Sequence, residues 1–402
     1  MIISLRKKQL CIKETTMLIY TSDNKIYSLD DSGSKQEIPC GRIEKYRQTL
    51  DDIRRRKEWK TSGAGAQFMG TAEPLRGEGA VNARITGLAV KDDRLIYGVE
   101  LDESASIYHR EIGAGDDEGL IVSDNDLHLG AMDCFGGQMA VSLGHTYEEY
   151  HIAVFDPPSS AYEELTDGDT TEVFPYFSRY HKGRIYFSAS GNARDNSGTV
   201  AAVSPYAAAY IENNSITEFI SDEKHDYLRI KDDEKGNLYY IRQPYEKQRG
   251  DGIKATDVLF FIPRLIKALF GWANFMSTIW GGESLKSGSD PLTNLKTKNR
   301  SAKDMYIDGN LIKAEEMAKA QKSDKDAGFM PLTRELVKRE ADGEETVLKR
   351  GVLDYIITGD SIIYSDGASI YELKDGRHKR LCKAYFAMNL VSTGQFPHTG
   401  EE

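Results

Sequence analysis

The sequence predicts an all-β fold, a β-propeller of four-stranded blades, and three observations point to it. Between Leu165 and Ser221 lie four short apolar or aromatic runs, ELTDGDTTEVFPYFS, HKGRIYFSAS, TVAAVSPYAAAYIE and SITEFIS. Gly, Asn, Asp and Ser separate them, the punctuation of an antiparallel meander. A lone meander cannot bury both of its faces, so copies must stack against it. The chain supplies copies. Their second strands align as Leu95-Ile96-Tyr97, Met139-Ala140-Val141, Ile185-Tyr186-Phe187 and Leu238-Tyr239-Tyr240. Read from Ile96, Ala140, Tyr186 and Tyr239, the spacing is 44, 46 and 53 residues, close to the period of propeller blades. Counting gives six blades, or seven if residues 301–331 hide another.

Taken in order, the first repeat is short. Met17–Thr21 and Lys25–Leu29 flank Ser-Asp-Asn, a hairpin signal, and Lys35–Pro39 is its outer strand. Its opening strand comes either from residues 1–16 or from the run Lys383–Val391. In the second case both chain ends share one blade and close the ring. Residues 41–82 break the pattern. Ile43, Tyr46, Leu50 and Ile53 share one helical face, and a Gly-rich loop follows. The meander then resumes with Ile85–Val90, Arg94–Val99, Ser106–Arg110 and Gly119–Val122. The next repeat is Leu127–Cys134, Gln138–Leu143, His151–Phe155 and Tyr162–Leu165. Asp226–Ile230 and Asn237–Arg242 open a further blade, interrupted over 247–300. Asp304–Ala314 reads as a strand pair around Asp308-Gly309-Asn310, Glu315–Gln321 as helix, and Glu335–Arg339 with Thr346–Lys349 as the strands that complete the blade. The last repeat is Val352–Ile357, Ser361–Ser365, Ser369–Leu373 and His378–Cys382. The whole of 1–402 is thus one propeller domain with two helical insertions, 41–82 and 247–300.

Composition sets limits. The chain has 402 residues, 40% of them hydrophobic, and Tyr (22) outnumbers Phe (14). Tyr suits half-buried strands, since its ring packs while its hydroxyl reaches water. A net charge of −11 argues against nucleic acid as a partner. Cys11, Cys40, Cys134 and Cys382 form no Cys-x-x-Cys, which fits isolated thiols of a reducing compartment. The first sixteen residues lack an apolar core of signal-peptide length, so the expected location is the cytoplasm, including the inner face of its membrane.

The segment Leu165-Thr166-Asp167-Gly168, Glu172, Pro175-Tyr176-Phe177-Ser178 and Gly183-Arg184-Ile185-Tyr186-Phe187-Ser188 resembles the repeat of TolB-type β-propellers. In that family a Leu-Thr closes one blade, a Pro-x-Phe-Ser opens the next, and an Asp-Gly turn leads to an Ile-x-Phe strand. Here Arg179-Tyr180-His181-Lys182-Gly183 replaces the shorter family turn. The resemblance implies the architecture. Such blades also occur in peptidases of the prolyl oligopeptidase group and in oligogalacturonate lyases, so it implies no single activity.

Candidate sites fall into three groups. A peptidase of that group needs a Gly-x-Ser-x-Gly elbow on a hydrolase domain, and the sequence has none. A lyase or metal site would need His and carboxylates at the channel mouth. The blade-opening strands begin near His128, Glu172, His225 with Asp226, and Asp354. Stacking brings such positions toward one axis, either as a site or as ordinary polar residues of the channel. No spacing matches a metal signature, and neither metal nor cofactor is expected. Next, Gly63-Ala64-Gly65-Ala66 lacks the Gly-Lys-Ser/Thr ending of a phosphate loop. The segment with Trp59, Lys60, Gly63, Gly65, Gln67 and Phe68 reads as a loop offered to a partner or ligand, or as a plain insertion. The basic run Arg54–Lys57 with Lys60 is a solvated helix face or a contact for anionic lipid.

The third group is the most apolar stretch, residues 258–280. After Pro263, the positions Arg264, Lys267, Gly271, Asn274 and Thr278 draw a narrow polar stripe along a helix. Leu265, Ile266, Leu269, Phe270, Trp272, Phe275, Met276, Ile279 and Trp280 cover the rest. Such a helix docks on its own propeller, on a partner protein or in a membrane interface. The expected function is a non-enzymatic scaffold that meets a partner protein or a membrane surface through this helix. The alternative is a carbohydrate- or peptide-acting enzyme, or a ligand-binding propeller, with its site at the channel mouth.

Overall fold

The structure, a computed structural model, describes residues 17–49, 52, 83–101, 104–113, 117–146, 149–194, 200–245, 304–307, 310–313 and 327–394. Six four-stranded antiparallel sheets form a ring. Blade 1 is β27 (Met388–Ser392), β1 (Leu18–Ser22), β2 (Lys25–Leu29) and β3 (Lys35–Ile38). Blade 2 is β4 (Ala83–Lys91), β5 (Arg94–Leu101), β6 (Ser104–Glu111) and β7 (Glu118–Asp124). Blade 3 is β8 (His128–Phe135), β9 (Gln138–Thr146), β10 (Glu149–Phe155) and β11 (Tyr162–Glu164). Blade 4 is β12 (Thr170–Phe177), β13 (Ile185–Arg194), β15 (Ala207–Glu212) and β16 (Ser215–Ile220). Blade 5 is β17 (His225–Asp232), β18 (Leu238–Pro244), β21 (Glu335–Arg339) and β22 (Glu345–Arg350). Blade 6 is β23 (Asp354–Thr358), β24 (Ser361–Ser365), β25 (Ser369–Lys374) and β26 (Arg377–Lys383).

The C-terminal strand closes the ring. β27 pairs with β1 in the register Leu18↔Ser392 and Ile19↔Val391. Met17 N donates to Thr393 Oγ1 at 2.8 Å, and Thr393 N donates to Met17 O at 3.0 Å. Residues about 370 positions apart thus share one ladder, which holds the first blade against the last.

Tyrosine repeats along the second and third strands. Tyr20 faces Tyr27, Tyr97 faces Tyr108, Tyr186 faces Tyr210, and Tyr364 faces Tyr371 across their ladders. Ring centroids in these pairs are 5.3–6.1 Å apart. Aromatic cross-strand pairs of this kind stabilise a sheet by a few tenths to about 1 kcal/mol each. Between blades 2 and 3 the core is mostly aliphatic: Ile96, Met139 and Val141 pack with Phe155 in one cluster, all nearly fully buried.

The structure splits one expected run. TVAAVSPYAAAYIE is two strands, β14 (Val200–Val203) and β15. Pro205 between them has no N–H for the ladder. β14 pairs only with the extended end of β13, outside the blade path. The expected strand pair near Asp308 is the hairpin β19 (Asp304–Ile307) and β20 (Asn310–Lys313). Of the first insertion, residues 41–49 are helical, with Ile43 buried and Tyr46 packed beside it. Leu50, Ile53, the loop from Trp59 to Phe68, and the whole of 258–280 lie outside the described residues. Cys40, Cys134 and Cys382 are free thiols, and Cys11 lies outside the described residues. No described helix is long and apolar enough to cross a membrane.

Candidate functional site: the bulged end of the central channel

The innermost strands β27, β4, β8, β12, β17 and β23 line the channel. Five of the six carry an extra residue against the second strand. The register slips at Asn389–Leu390, at Thr86, at Gly130–Ala131, at Phe174–Pro175 and at Arg229–Ile230. Only β23 pairs without a shift among these six. A bulge bends the strand and re-aims its side chains. At three bulges the backbone is left-handed: Phe174 (φ 58°), Arg229 (φ 57°) and Asn389 (φ 52°). For residues as large as Phe and Arg this conformation is strained and persists only where the surroundings hold it.

Beyond the bulges the channel opens into a cavity of about 370 Å³. All six inner strands contribute. One wall is apolar, with Leu88 and Val90 of β4, Met132 of β8, Ile356 of β23 and Leu390 of β27. The other is charged. Arg229 Nη1 lies 3.3 Å from Asp354 Oδ1, both buried, and its guanidinium stacks 4.0 Å from the Phe174 ring. Asp354 also accepts from Leu390 N at 3.1 Å and from Tyr355 N at 2.8 Å. Arg179 forms a two-pronged pair with Asp133 at 3.1 and 3.2 Å and sits between the Phe135 and Tyr176 rings. Asp232 accepts from Arg179 N at 2.7 Å and from the Ser178 hydroxyl. Burial pushes the Asp232 carboxyl up, and the Ser178 and Arg179 donors pull it back.

Lys231 stands apart. Its Nζ donates to Tyr355 O at 2.6 Å and lies 5.0 Å from the Tyr355 ring centroid. Burial lowers its pKa to about 8, with Asp354 opposing the shift and Arg229 adding to it.

The turn that departs from the family pattern builds one rim. Arg179 begins it, and Tyr180 ends over the β17–β18 turn. There Gly236 has φ +79°, a conformation that favours glycine, and a Cβ would meet the Tyr180 ring at 3.1 Å, a tight contact.

The sequence candidates for the channel mouth sit apart from this cavity, with one exception. Asp354 lines the cavity, but His128, Glu172, His225 and Asp226 do not. These four sit at or near the starts of their strands. His128 Nδ1 is 3.5 Å from Glu100 Oε1. Glu172 is buried, bonded to His151 Nδ1 at 2.9 Å and to the Thr166 hydroxyl at 3.1 Å. His225 pairs with Asp222 at 2.8 Å. Asp226 accepts from Tyr206 N at 2.9 Å and Gln243 Nε2 at 3.2 Å. Among the described residues no group of three or more His, Cys, Asp or Glu is placed to hold a metal ion.

Sequence reasoning missed Asp133, Arg179, Arg229, Lys231 and Asp232. A signal was present: Leu228-Arg229-Ile230-Lys231 puts two cations in the middle of an innermost strand. Cations there need something polar to face.

The ring of six blades with the Leu165–Ser188 repeat decides one question. In fold, the chain is TolB-like. It is similar to the crystal structure of TolB from Acinetobacter baumannii, at 9% identity and a TM-score of 0.46, over 94% of this chain and 66% of that one. It is similar to a putative TolB from Agrobacterium tumefaciens, at 6% identity and 0.41, over 93% and 92%. It is also similar to the β-propeller domain of the Trilobed protease from Pyrococcus furiosus, at 9% identity and 0.37, over 90% and 87%. No family model and no curated protein matches the chain. Likenesses this distant carry no functional argument, and the functional reading rests on the channel.

Proposed function

We propose that the protein is a binding propeller, an interaction module without catalytic chemistry of its own, whose ligand enters the bulged end of the channel. The observation that carries this reading is the strained pair Phe174 and Arg229. Two large side chains in left-handed backbone, stacked 4.0 Å apart on neighbouring inner strands, are a costly way to line a channel that only has to be filled. Strain of this kind gathers where a surface is shaped for a ligand. The cavity volume falls in the range of small-molecule sites, and its mixture of an apolar wall with a few converging polar groups is typical of them.

Binding is favoured over catalysis by the state of the carboxylates. A general acid or base must be able to reach a substrate proton. Asp133, Asp354 and Asp232 are instead each committed to a cation, a hydroxyl or main-chain amides. The test is a fragment screen by ligand-observed NMR on the full chain. Binders should converge on one site and be lost on Ala131→Trp, which fills the cavity from β8. A set of binders indifferent to that substitution would sink the reading.

A further inference from the structure

We propose that Lys231 is the ligand-recognition residue of the channel and that it holds the carboxylate of a small molecule with an apolar body. The inference rests on the binding reading above and names the ligand class for the same cavity.

Four cations line the cavity, and three are already matched, Lys235 at the exposed rim by Asp360 at 3.5 Å. Arg179 is closed by Asp133, and Arg229 by Asp354. Lys231 has no carboxylate at ion-pair distance among the described residues; its partner is a neutral carbonyl, Tyr355 O. Asp232 is adjacent in sequence and also lines the cavity, but it makes no ion pair with Lys231. Its carboxylate is taken up by Ser178 and Arg179 N on the neighbouring blade. An ammonium bonded to one carbonyl has further hydrogens to donate. The rings of Tyr355 and Tyr176, 5.0 and 5.9 Å away, give it only weak compensation.

A half-buried ammonium without a counter-charge is unfavourable in the empty protein. An incoming carboxylate converts that cost into a charge-assisted hydrogen bond. Lys231 offers the one ammonium outside an ion pair, and the further carboxylates of Asp232, Asp233 and Glu234 on the lining disfavour a phosphate-type dianion relative to a monoanion. The opposite wall, Leu88, Val90, Met132, Ile356 and Leu390, receives the apolar body. The groups that face Lys231 are Asp354 and Tyr355 from β23, Arg229 from β17, Asp133 from β8, Tyr176 from β12 and Arg179 from the turn after it. Burial holds the tyrosines above their ordinary range, so Lys231 is the cation that loses its charge between neutral and mildly alkaline pH.

The test titrates the full chain by ligand-observed NMR with 3-phenylpropanoate and octanoate, each beside its neutral amide. At pH 7 the wild type should bind at least one acid about tenfold more tightly than its amide. Raising the pH from 7 to 9, across a lysine pKa of about 8, should weaken that acid about tenfold and leave the amide unchanged. Lys231→Met should bring acid and amide to the same affinity, and Lys231→Arg should keep the preference at pH 9. Equal binding of acids and amides by the wild type, or no binding of either acid below about 10 mM, overturns the proposal. So does an acid preference that survives in Lys231→Met. In that last case Ala131→Trp and Ser392→Trp, which plug the cavity from two different inner strands, separate the two readings. If they abolish binding, the channel is the site and only the role of Lys231 falls; if they leave it intact, both fall.

Discussion

The two ends of the inner strands use buried charge in opposite ways. At the end where the strands begin, charged side chains stitch blades together. Glu100 of blade 2 accepts Leu129 N of blade 3 at 2.8 Å. Glu172 of blade 4 takes His151 of blade 3. Arg334, 3% exposed, donates to Gln243 at 2.5 Å within blade 5 and to Val352 O and Leu353 O at 2.7 and 3.1 Å at the entry to blade 6. Beyond the bulges, ion pairs still bridge blades, but the charge is not fully matched and a cavity stands beside it. Similar residue types therefore serve cohesion at one end and, under the proposed binding function, recognition at the other. What separates them is whether each donor and acceptor is already committed.

That contrast can be broken by substitution, and the largest effect belongs at the stitched end. Arg334→Met strands a buried amide oxygen and two main-chain carbonyls. It should cost about 4 kcal/mol, read as a lower urea midpoint with an unchanged slope. A loss under about 1 kcal/mol would mean that the start of the channel is no seam.

Next comes the pair that bounds the cavity. Arg229→Met leaves Asp354, 2% exposed, buried without its cation, and should cost about 3 kcal/mol. The double variant Arg229→Met with Asp354→Asn should recover more than half of that loss, since the isolated charge is removed as well. Additive losses in the double-mutant cycle would show that the two do not interact.

A smaller effect carries a pH signature. The hydrogen bond to Glu172 holds the His151 pKa above its ordinary 6.5. The stabilisation is therefore complete below that ordinary value and is lost as pH rises through the raised one. Glu172→Gln should cost about 1.5 kcal/mol at pH 5.5 and less at pH 8.5. A pH-independent loss would remove His151 from the account.

The smallest effect has the opposite sign. Burial lowers the Lys231 pKa from 10.5 to about 8. Between those values the unfolded chain holds the extra proton, so the wild type gains stability as pH rises. Lys231→Met should leave stability at pH 7 unchanged or raise it by up to about 1 kcal/mol, and the gain between pH 8 and 10.5 should vanish from thermal melts. A clear loss of stability at pH 7 would place Lys231 with the stitching residues.

The sequence by itself determined the blades. Strand alternation, Gly and Asn turns and the recurring second-strand aromatics are local properties, and a blade is a local meander. For that reason Ile185-Tyr186-Phe187 and Leu238-Tyr239-Tyr240 fall on second strands, and the Asp308 hairpin lies where its turn residues put it. Ring closure was half legible. Lys383–Val391 was one of two candidate strands, and only the tertiary structure chose it, because pairing Ile19 with Val391 depends on where five other blades have carried the chain. The site was legible at one residue, Asp354. The others depend on bulges, and a bulge is one residue of register in a ladder whose partner strand the sequence does not show. Once the slip at Arg229–Ile230 is in place, it decides which side chains of Leu228-Arg229-Ile230-Lys231 meet the channel. The charges were visible in the sequence, and their direction was set by the register.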